Sequence, residues 1–306
     1  MMNLILHHYD FSNYSEKARL ALGYKGFDWA SVIIPPVAPK PELTPLTGGY
    51  RRTPVLQFGA DIYCDTQLIL AELERRRPQP TLYPPQSRAL ADAIAYWAEH
   101  ELFRPISLYV SGSNLDVLPD NLQADRSLMR GLPAPDAATV KRAALRNAPL
   151  VRIGIARVED FFLDGRKWIA GADISVADFA CYHALWFITG RTDRLAHELA
   201  PYPRISEWMQ RMRNFSRPPV ATLTAREALD ITAAATPARP RESKPFAEDP
   251  KLGARVLVRA DDYGRDPVEG ELVLIDAEEI ALRRHDDRVG EVVVHFPRRG
   301  YDLREV

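Results

Sequence analysis

The hydrophobic period of this chain changes twice, and each change falls on a cluster of prolines. Short apolar strands alternate with amphipathic helices through the first 80 residues, helical spacing takes over from 87 to 233, and strand-like alternation returns from 254 onward. Pro78, Pro80, Pro84 and Pro85 mark the first change, and Pro237, Pro240, Pro245 and Pro250 the second. Proline fixes φ and has no amide hydrogen, so neither a helix nor a central strand runs through such clusters. A single domain of one secondary-structure class is thereby excluded. The chain divides into an α/β unit over 1–80, an all-α unit over 86–233, a linker over 234–251 and a small all-β unit over 252–306. The first two are long enough to bury cores. The last is near the size at which a lone core is marginal, so it is expected to dock on something or to dimerise.

Charge narrows the partners. With 40 basic and 41 acidic side chains the formal net charge is -1, which lacks the footprint of a general nucleic-acid binder. Apolar stretches such as 179–188 fall well short of the roughly 20 residues that cross a bilayer, so no membrane span is expected. Residues 1–10 lack a basic start followed by a long apolar run. Two cysteines, Cys64 and Cys181, make no disulfide framework; both are expected as small buried residues, and a reducing cytoplasm is the default location. His7, His8 and His100 sit in no HxH or HExxH spacing, so no metal is expected.

In the first unit, strands are expected at 3–9, 29–34, 53–58 and 62–64, with helices opening at Ser15 and at Asp65-Thr66. The second unit reads as helices over 87–110, 136–163 with a bend at Pro149, 174–188, 204–215 and 220–233. Residues 111–135, with Gly112, Pro119, Gly131 and Pro133, form an irregular insertion, open between a lid and a plain loop. The linker composition favours an extended spacer. Four strands are expected in the third unit, at 254–259, 270–275, 279–284 and 291–296, as an SH3-like or similar small barrel. Its turns at 263–267 and 295–301 are either plain turns or partner contacts.

Three places in the first unit suit a ligand. The turn Tyr9-Asp10-Phe11-Ser12-Asn13-Tyr14-Ser15 joins a strand to a helix N-terminus, where free N–H groups and the helix dipole stabilise an anion such as a thiolate. Ser12 can donate a hydrogen bond to that thiolate, or it serves only as a cap. Thr53-Pro54 opens a strand as a candidate cis peptide, leaving the Thr53 backbone to pair with a peptide-like ligand. Asp65-Thr66 begins a helix, where a hydroxyl and N–H groups hold a carboxylate while Asp65 pairs with an ammonium. Sites for a thiol, a peptide backbone and a zwitterionic end have glutathione as their natural joint ligand.

The segments Ser12-Asn13-Tyr14-Ser15-Glu16-Lys17-Ala18-Arg19-Leu20-Ala21-Leu22, Arg52-Thr53-Pro54-Val55-Leu56 and Cys64-Asp65-Thr66-Gln67-Leu68-Ile69 resemble the thioredoxin-like domain of the cytosolic glutathione S-transferases. Gly171-Ala172-Asp173-Ile174-Ser175-Val176-Ala177-Asp178 resembles that family's capping-box motif in the helical domain. The resemblance covers roughly residues 1–233. It implies a thioredoxin-like domain and a helical bundle, with the C-terminal β module as an addition. It places Ser12 at the catalytic position, with Tyr9 in reserve; Thr53 and Pro54 against the cysteinyl part of glutathione; and Asp65 and Thr66 at its γ-glutamyl end. Lys40 and Arg51 or Arg52 would meet the glycine carboxylate, unless they are surface charge. Tyr14, Tyr96, Trp97, His100 and Phe103, with Tyr109, would offer a second-substrate pocket, although at helical spacing most suit a core. Thr66 stands where Ser is usual, and Asn13 where a proline often follows the catalytic residue. Serine at position 12 argues against disulfide exchange, because a hydroxyl forms no mixed disulfide. The implied function is conjugation of glutathione to a small electrophile by a cytoplasmic homodimer, with glutathione as co-substrate and no other cofactor. Isomerisation or dehalogenation would use the same site. The alternative is a non-catalytic scaffold whose β module contacts a partner.

Overall fold

The alternation in the first strand sets two cores on opposite faces of one sheet. In the computed structural model, which describes residues 4–119 and 121–306, β1 (Leu4–His8) points Leu4 and Leu6 to one face and Ile5 to the other. Asn3, where the expected strand begins, lies outside the described residues, as do Met1 and Met2 of the expected unled N-terminus. β1 pairs in parallel with β2 (Ala30–Ile33) and antiparallel with β3 (Val55–Phe58), which pairs antiparallel with β4 (Asp61–Cys64). Helices α1 (Asn13–Tyr24), α2 (Thr44–Thr47) and α3 (Thr66–Arg76) complete this thioredoxin-like unit.

Leu4, Leu6, Leu56 and Tyr63 join α1, α3 and the helical domain in the first core. That domain contains α4 (Arg88–Trp97), α5 (Phe103–Ser113), α6 (Leu122–Leu128), α7 (Ala137–Asp160), α8 (Val176–Thr189), α9 (Pro203–Arg213) and α10 (Ala225–Ala233). The helix expected over 87–110 is interrupted by a π-helical turn, Ala98–Leu102. Pro105 has no amide to give the Glu101 carbonyl, which lies in that turn. Pro149 sits inside α7. The Ser175/Asp178 capping box is present, and Asp178 also accepts from Ile169 N–H at 2.9 Å and Trp208 Nε1 at 3.0 Å. The insertion 111–135 is less irregular than expected, because it contains α6. Residues 220–233 are not all helix: Ala221 and Thr222 form β5, parallel to β2, before the Thr224/Glu227 box starts α10.

The C-terminal strands are β6 (Arg255–Ala260), β7 (Val268–Ile275), β8 (Glu279–Asp286), β9 (Gly290–Pro297) and β10 (Tyr301–Glu305). Their order, β10-β6-β7-β8-β9, brings the last strand back beside the first in a barrel-like manner. The unit does not close on itself. The free edge of β9 takes β4 in parallel, with Asp61 opposite Val293, Ile62 opposite Val294 and Tyr63 opposite His295, so the molecule carries one ten-stranded sheet. An edge strand left bare invites aggregation, and this pairing covers β4. Val256, Leu272, Leu282, Val294 and Phe296 share the second core with Ile5, Val32, Ile62 and Leu229. The linker is no free spacer. Ala238 N–H donates to Asp61 Oδ2 at 2.9 Å, Lys244 N–H to Ile275 O at 2.9 Å, and Arg241 pairs with Glu279 at 2.7 Å.

A buried ionic latch crosses the junction. His295 Nδ1 lies 2.6 Å from Glu279 and Nε2 3.2 Å from Asp61, while its ring stacks on Tyr63 at 4.3 Å. A ring that donates to carboxylates from both nitrogens is an imidazolium. Burial opposes that charge, but the bonds to Asp61 and Glu279 raise the histidine above its ordinary 6.5. Burial likewise opposes the Glu279 charge, and His295, Arg75 and Arg241 hold that carboxyl down at about 2. A raised histidine contributes stability that is complete below its unfolded value and is lost as pH rises through the folded one. His295→Leu is therefore expected to cost about 3 kcal/mol, since it removes the buried cation that Asp61 and Glu279 share. The deficit in thermal melting should be larger at pH 6 than at pH 9; an equal deficit at both would contradict the imidazolium.

Candidate functional site

The turn between β4 and α3 carries an unusual backbone conformation. Asp65, at φ 70°, is the only non-glycine with positive φ among the described residues. Such conformations persist where surrounding contacts hold them, and they concentrate at functional sites. Asp65 caps α3, its Oδ1 accepting from Gln67 N–H at 3.0 Å. Thr66 Oγ1 beside it accepts from Lys17 Nζ at 3.1 Å. Across the turn, the Thr53-Pro54 peptide is cis, and the Thr53 N–H and C=O have no hydrogen-bond partner among the described residues. Thr53 Oγ1 accepts from Lys40 Nζ at 2.8 Å.

Lys17, Thr53, Pro54, Asp65 and Thr66, but not Lys40, border one cavity of about 200 Å³ between the thioredoxin-like unit, the start of the helical domain and the C-terminal module. Beneath it runs a chain of polar groups, of which Lys17 and Glu99 border the cavity. Lys17 Nζ meets Glu99 Oε1 at 2.6 Å, His183 Nε2 lies 3.1 Å from the same oxygen, and Asn13 Nδ2 donates to His183 Nδ1 at 2.7 Å. Nδ1 is thus an acceptor, which puts the His183 proton on Nε2, facing Glu99. Burial lowers the His183 pKa and keeps that ring neutral. Burial would raise Glu99, but Lys17 and His183 hold it well below the usual carboxylate range. Burial, with the Glu99 charge nearby, pushes the Tyr14 hydroxyl well up. Lys40 is lowered by burial to about 7.

The C-terminal module supplies the opposite wall. Tyr301 OH donates to Asp65 Oδ2 at 3.1 Å. Arg52 bonds to Asp262 and to the Tyr263 carbonyl and lies over the Tyr263 ring at 4.3 Å. Arg52 also borders the cavity. Lys40 is not a surface charge either: it is buried and also donates to Arg51 O at 2.9 Å. Arg51 pairs with Asp125 of α6 at 2.5 Å.

Ser12 caps α1, accepting from Ser15 N–H at 3.1 Å, which leaves its hydroxyl proton free to donate. It is buried and does not border the cavity. Tyr9 does not border it either; its hydroxyl accepts from Arg126 Nη2 at 2.8 Å and its ring packs on Phe11. Of the residues expected around a second substrate, Tyr14, Tyr96 and His100 face the cavity, the latter two stacked at 4.0 Å. Trp97 packs on Phe161 in the helical core, and Phe103 lies behind Tyr14 at 5.3 Å. Tyr109 turns to Glu198, 2.7 Å away. Lys17, Glu99 and Tyr301 were not foreseen. The spacing of Asn13 and Lys17, four apart on one helix face, was the only local sign. His7 and His8 serve the sheet, their rings paired with Gln57 at 2.7 Å and Ser31 at 2.8 Å.

The thioredoxin-like sheet, the helical domain and a cavity at the α3 N-terminus define a glutathione-transferase architecture, and comparison with known proteins agrees. The family model for the glutathione S-transferase N-terminal domain matches residues 6–81, and that for the C-terminal domain matches 151–211. A GST-like protein from Pseudomonas syringae is 37% identical, with a TM-score of 0.79 over the whole of both chains, so it spans the C-terminal module too. FtsZ-localized protein A of Caulobacter vibrioides is 26% identical over 180 residues, covering 57% of this chain and 72% of that protein. A glutathione S-transferase from Rhodospirillum rubrum shares the fold at 22% identity and a TM-score of 0.50, over 70% of this chain and 89% of its own. The chain belongs to the glutathione S-transferase family.

Glu99→Gln leaves Lys17 without its countercharge in a buried setting and is expected to cost about 3 kcal/mol. A carboxyl held low contributes stability that is present above its ordinary 4.5 and lost as pH falls below it. The melting deficit of Glu99→Gln should therefore be constant between pH 6 and 8 and shrink on acidification. A deficit that grew below pH 4 would contradict the ion pair.

Proposed function

We propose that the protein binds glutathione in this cavity and uses the Ser12 hydroxyl to hold its thiolate for attack on a small electrophile. The observation that carries the reading is the N–H and C=O of Thr53, which have no partner among the described residues, on the same cavity as Asp65 and Thr66. An extended peptide ligand satisfies both groups by strand-like pairing. The α3 N-terminus, Thr66 and Lys17 suit the γ-glutamyl carboxylate, and Asp65 suits its ammonium. Lys40 lies behind Thr53 and does not border the cavity, so Arg299 and Arg52, which do, are the cations for the glycine carboxylate. At the α1 N-terminus the free Ser12 proton and the helix dipole favour thiolate over thiol. The thiol proton leaves to solvent, the sulfur lone pair forms the new bond to the electrophilic carbon, and the leaving group takes its bonding pair. Tyr96 and His100 present an aromatic face for that electrophile. A homodimer in the cytoplasm belongs to the same reading.

Two observations favour a second reading, a scaffold whose C-terminal module meets a partner. Ser12 and Tyr9 do not border the cavity, and Arg126 takes the Tyr9 hydroxyl. FtsZ-localized protein A, a similar protein, is named for its localisation with another protein.

Calorimetric titration with glutathione, run beside conjugation of a model aryl halide, separates the two. Ser12→Ala should keep its glutathione affinity within about threefold while turnover falls about 10- to 100-fold, the worth of one hydrogen bond to a charged acceptor. Absence of binding at millimolar glutathione would favour the scaffold, and unchanged turnover in Ser12→Ala would remove Ser12 from the chemistry.

A further inference from the structure

We infer that Tyr301, supplied by the C-terminal module, is a positioning residue of the ligand site, its hydroxyl fixing the Asp65 carboxylate in the orientation that meets a ligand ammonium. The inference rests on the glutathione-binding reading above.

The argument begins with the freedom of an aspartate at a helix cap. One hydrogen bond, from Gln67 N–H to Oδ1, fixes one oxygen and leaves the carboxylate plane free to swing. A second bond to the other oxygen fixes the plane, and among the described residues Tyr301 is the side chain that makes it, at 3.1 Å. Tyr301 stands 236 positions away in the chain and reaches Asp65 because β10 pairs with β6, Tyr301 opposite Ala260. Its ring is buried and held by Phe296 at 5.7 Å. The Tyr301 hydroxyl has one proton and two acceptors in reach, the Asp65 carboxylate and the Tyr50 hydroxyl oxygen at 3.3 Å. The charged acceptor makes the stronger bond, so Tyr301 donates to Asp65 and Tyr50 turns its own proton to the Tyr301 oxygen. Burial, with Tyr50 and Asp65 adjacent, raises the Tyr301 hydroxyl well above its ordinary value, so it stays a donor across the physiological range. Both carboxylate oxygens keep a lone pair free toward the cavity, where the ammonium would sit. The strained φ of Asp65 is clamped by the same contact.

The test compares glutathione with its desamino analogue, glutaryl-cysteinylglycine, by calorimetric titration of the full chain. In Tyr301→Phe, which keeps the ring, the Kd for glutathione should rise about tenfold while that for the desamino analogue changes less than about twofold, as loss of one charge-assisted bond predicts. In an Asp65→Asn background, adding Tyr301→Phe should shift the glutathione Kd less than about twofold, since nothing remains to position. Because the readout is a ratio of two affinities on one preparation, partial loss of folded protein leaves it unchanged. Unaltered glutathione affinity in Tyr301→Phe, or equal losses for both ligands, would overturn the positioning role and leave glutathione binding intact. A wild-type chain that binds neither ligand would overturn the glutathione reading itself, and this inference with it.

Discussion

The parallel pairing of β4 with β9 is the contact on which the rest of the molecule depends. β4 would otherwise be the bare edge of the thioredoxin-like sheet, and its last residue, Cys64, leads directly into Asp65. By taking that edge, β9 merges the C-terminal strands with the sheet, buries Ile62 and Val294 in one core, and sets Tyr63 against the His295 ring. The same placement brings β10 beside the Asp65 turn. A module that counting residues assigns to a tether thus becomes a wall of the ligand cavity.

The second constraint is electrostatic. Charged groups beneath the cavity and at the β4–β9 junction are held out of water, and such groups survive burial only in satisfied networks. Lys17, Glu99, His183 and Asn13 form one, with a neutral histidine at its end; His295, Glu279 and Asp61 form the other, with a charged one. Two buried histidines in one chain hold opposite protonation states because the first has an amide donor on Nδ1 and one carboxylate, whereas the second has carboxylates on both sides. The first network fixes Lys17 beside Thr66, the anion-binding end of α3. The second fixes β4 to β9 beneath Asp65.

Local features were legible in the chain and distant ones were not. The Asp65 cap, the Ser175/Asp178 box and the strand after Thr53-Pro54 depend on neighbours within a few residues and stand where the pattern placed them, whereas the first helix opens at Asn13 with Ser12 as its cap and not at Ser15. Tyr301-Asp-Leu-Arg-Glu305 was not foreseen as a strand, because it is short and charged, as edge strands are. The prolines of the linker suggest a spacer, yet its amide and guanidinium groups meet Asp61 and Glu279, partners outside any local pattern. Trp97 and Phe103 share the aromatic character of Tyr96, but one π turn and the helix face decide which rings reach the cavity. Arg52 borders the cavity, as its neighbours in sequence suggest, but its partners Asp262 and Tyr263 stand far away in the chain.

If the ten strands form one body, their amides must open together. Native-state hydrogen exchange resolves this directly, because cooperative units exchange with a common free energy. Amides of β3, β4, β8 and β9 are expected to share one slow exchange class with the same denaturant dependence. Strands β6 to β10 exchanging as a separate, less stable unit, while β1, β3 and β4 stay protected, would contradict the account.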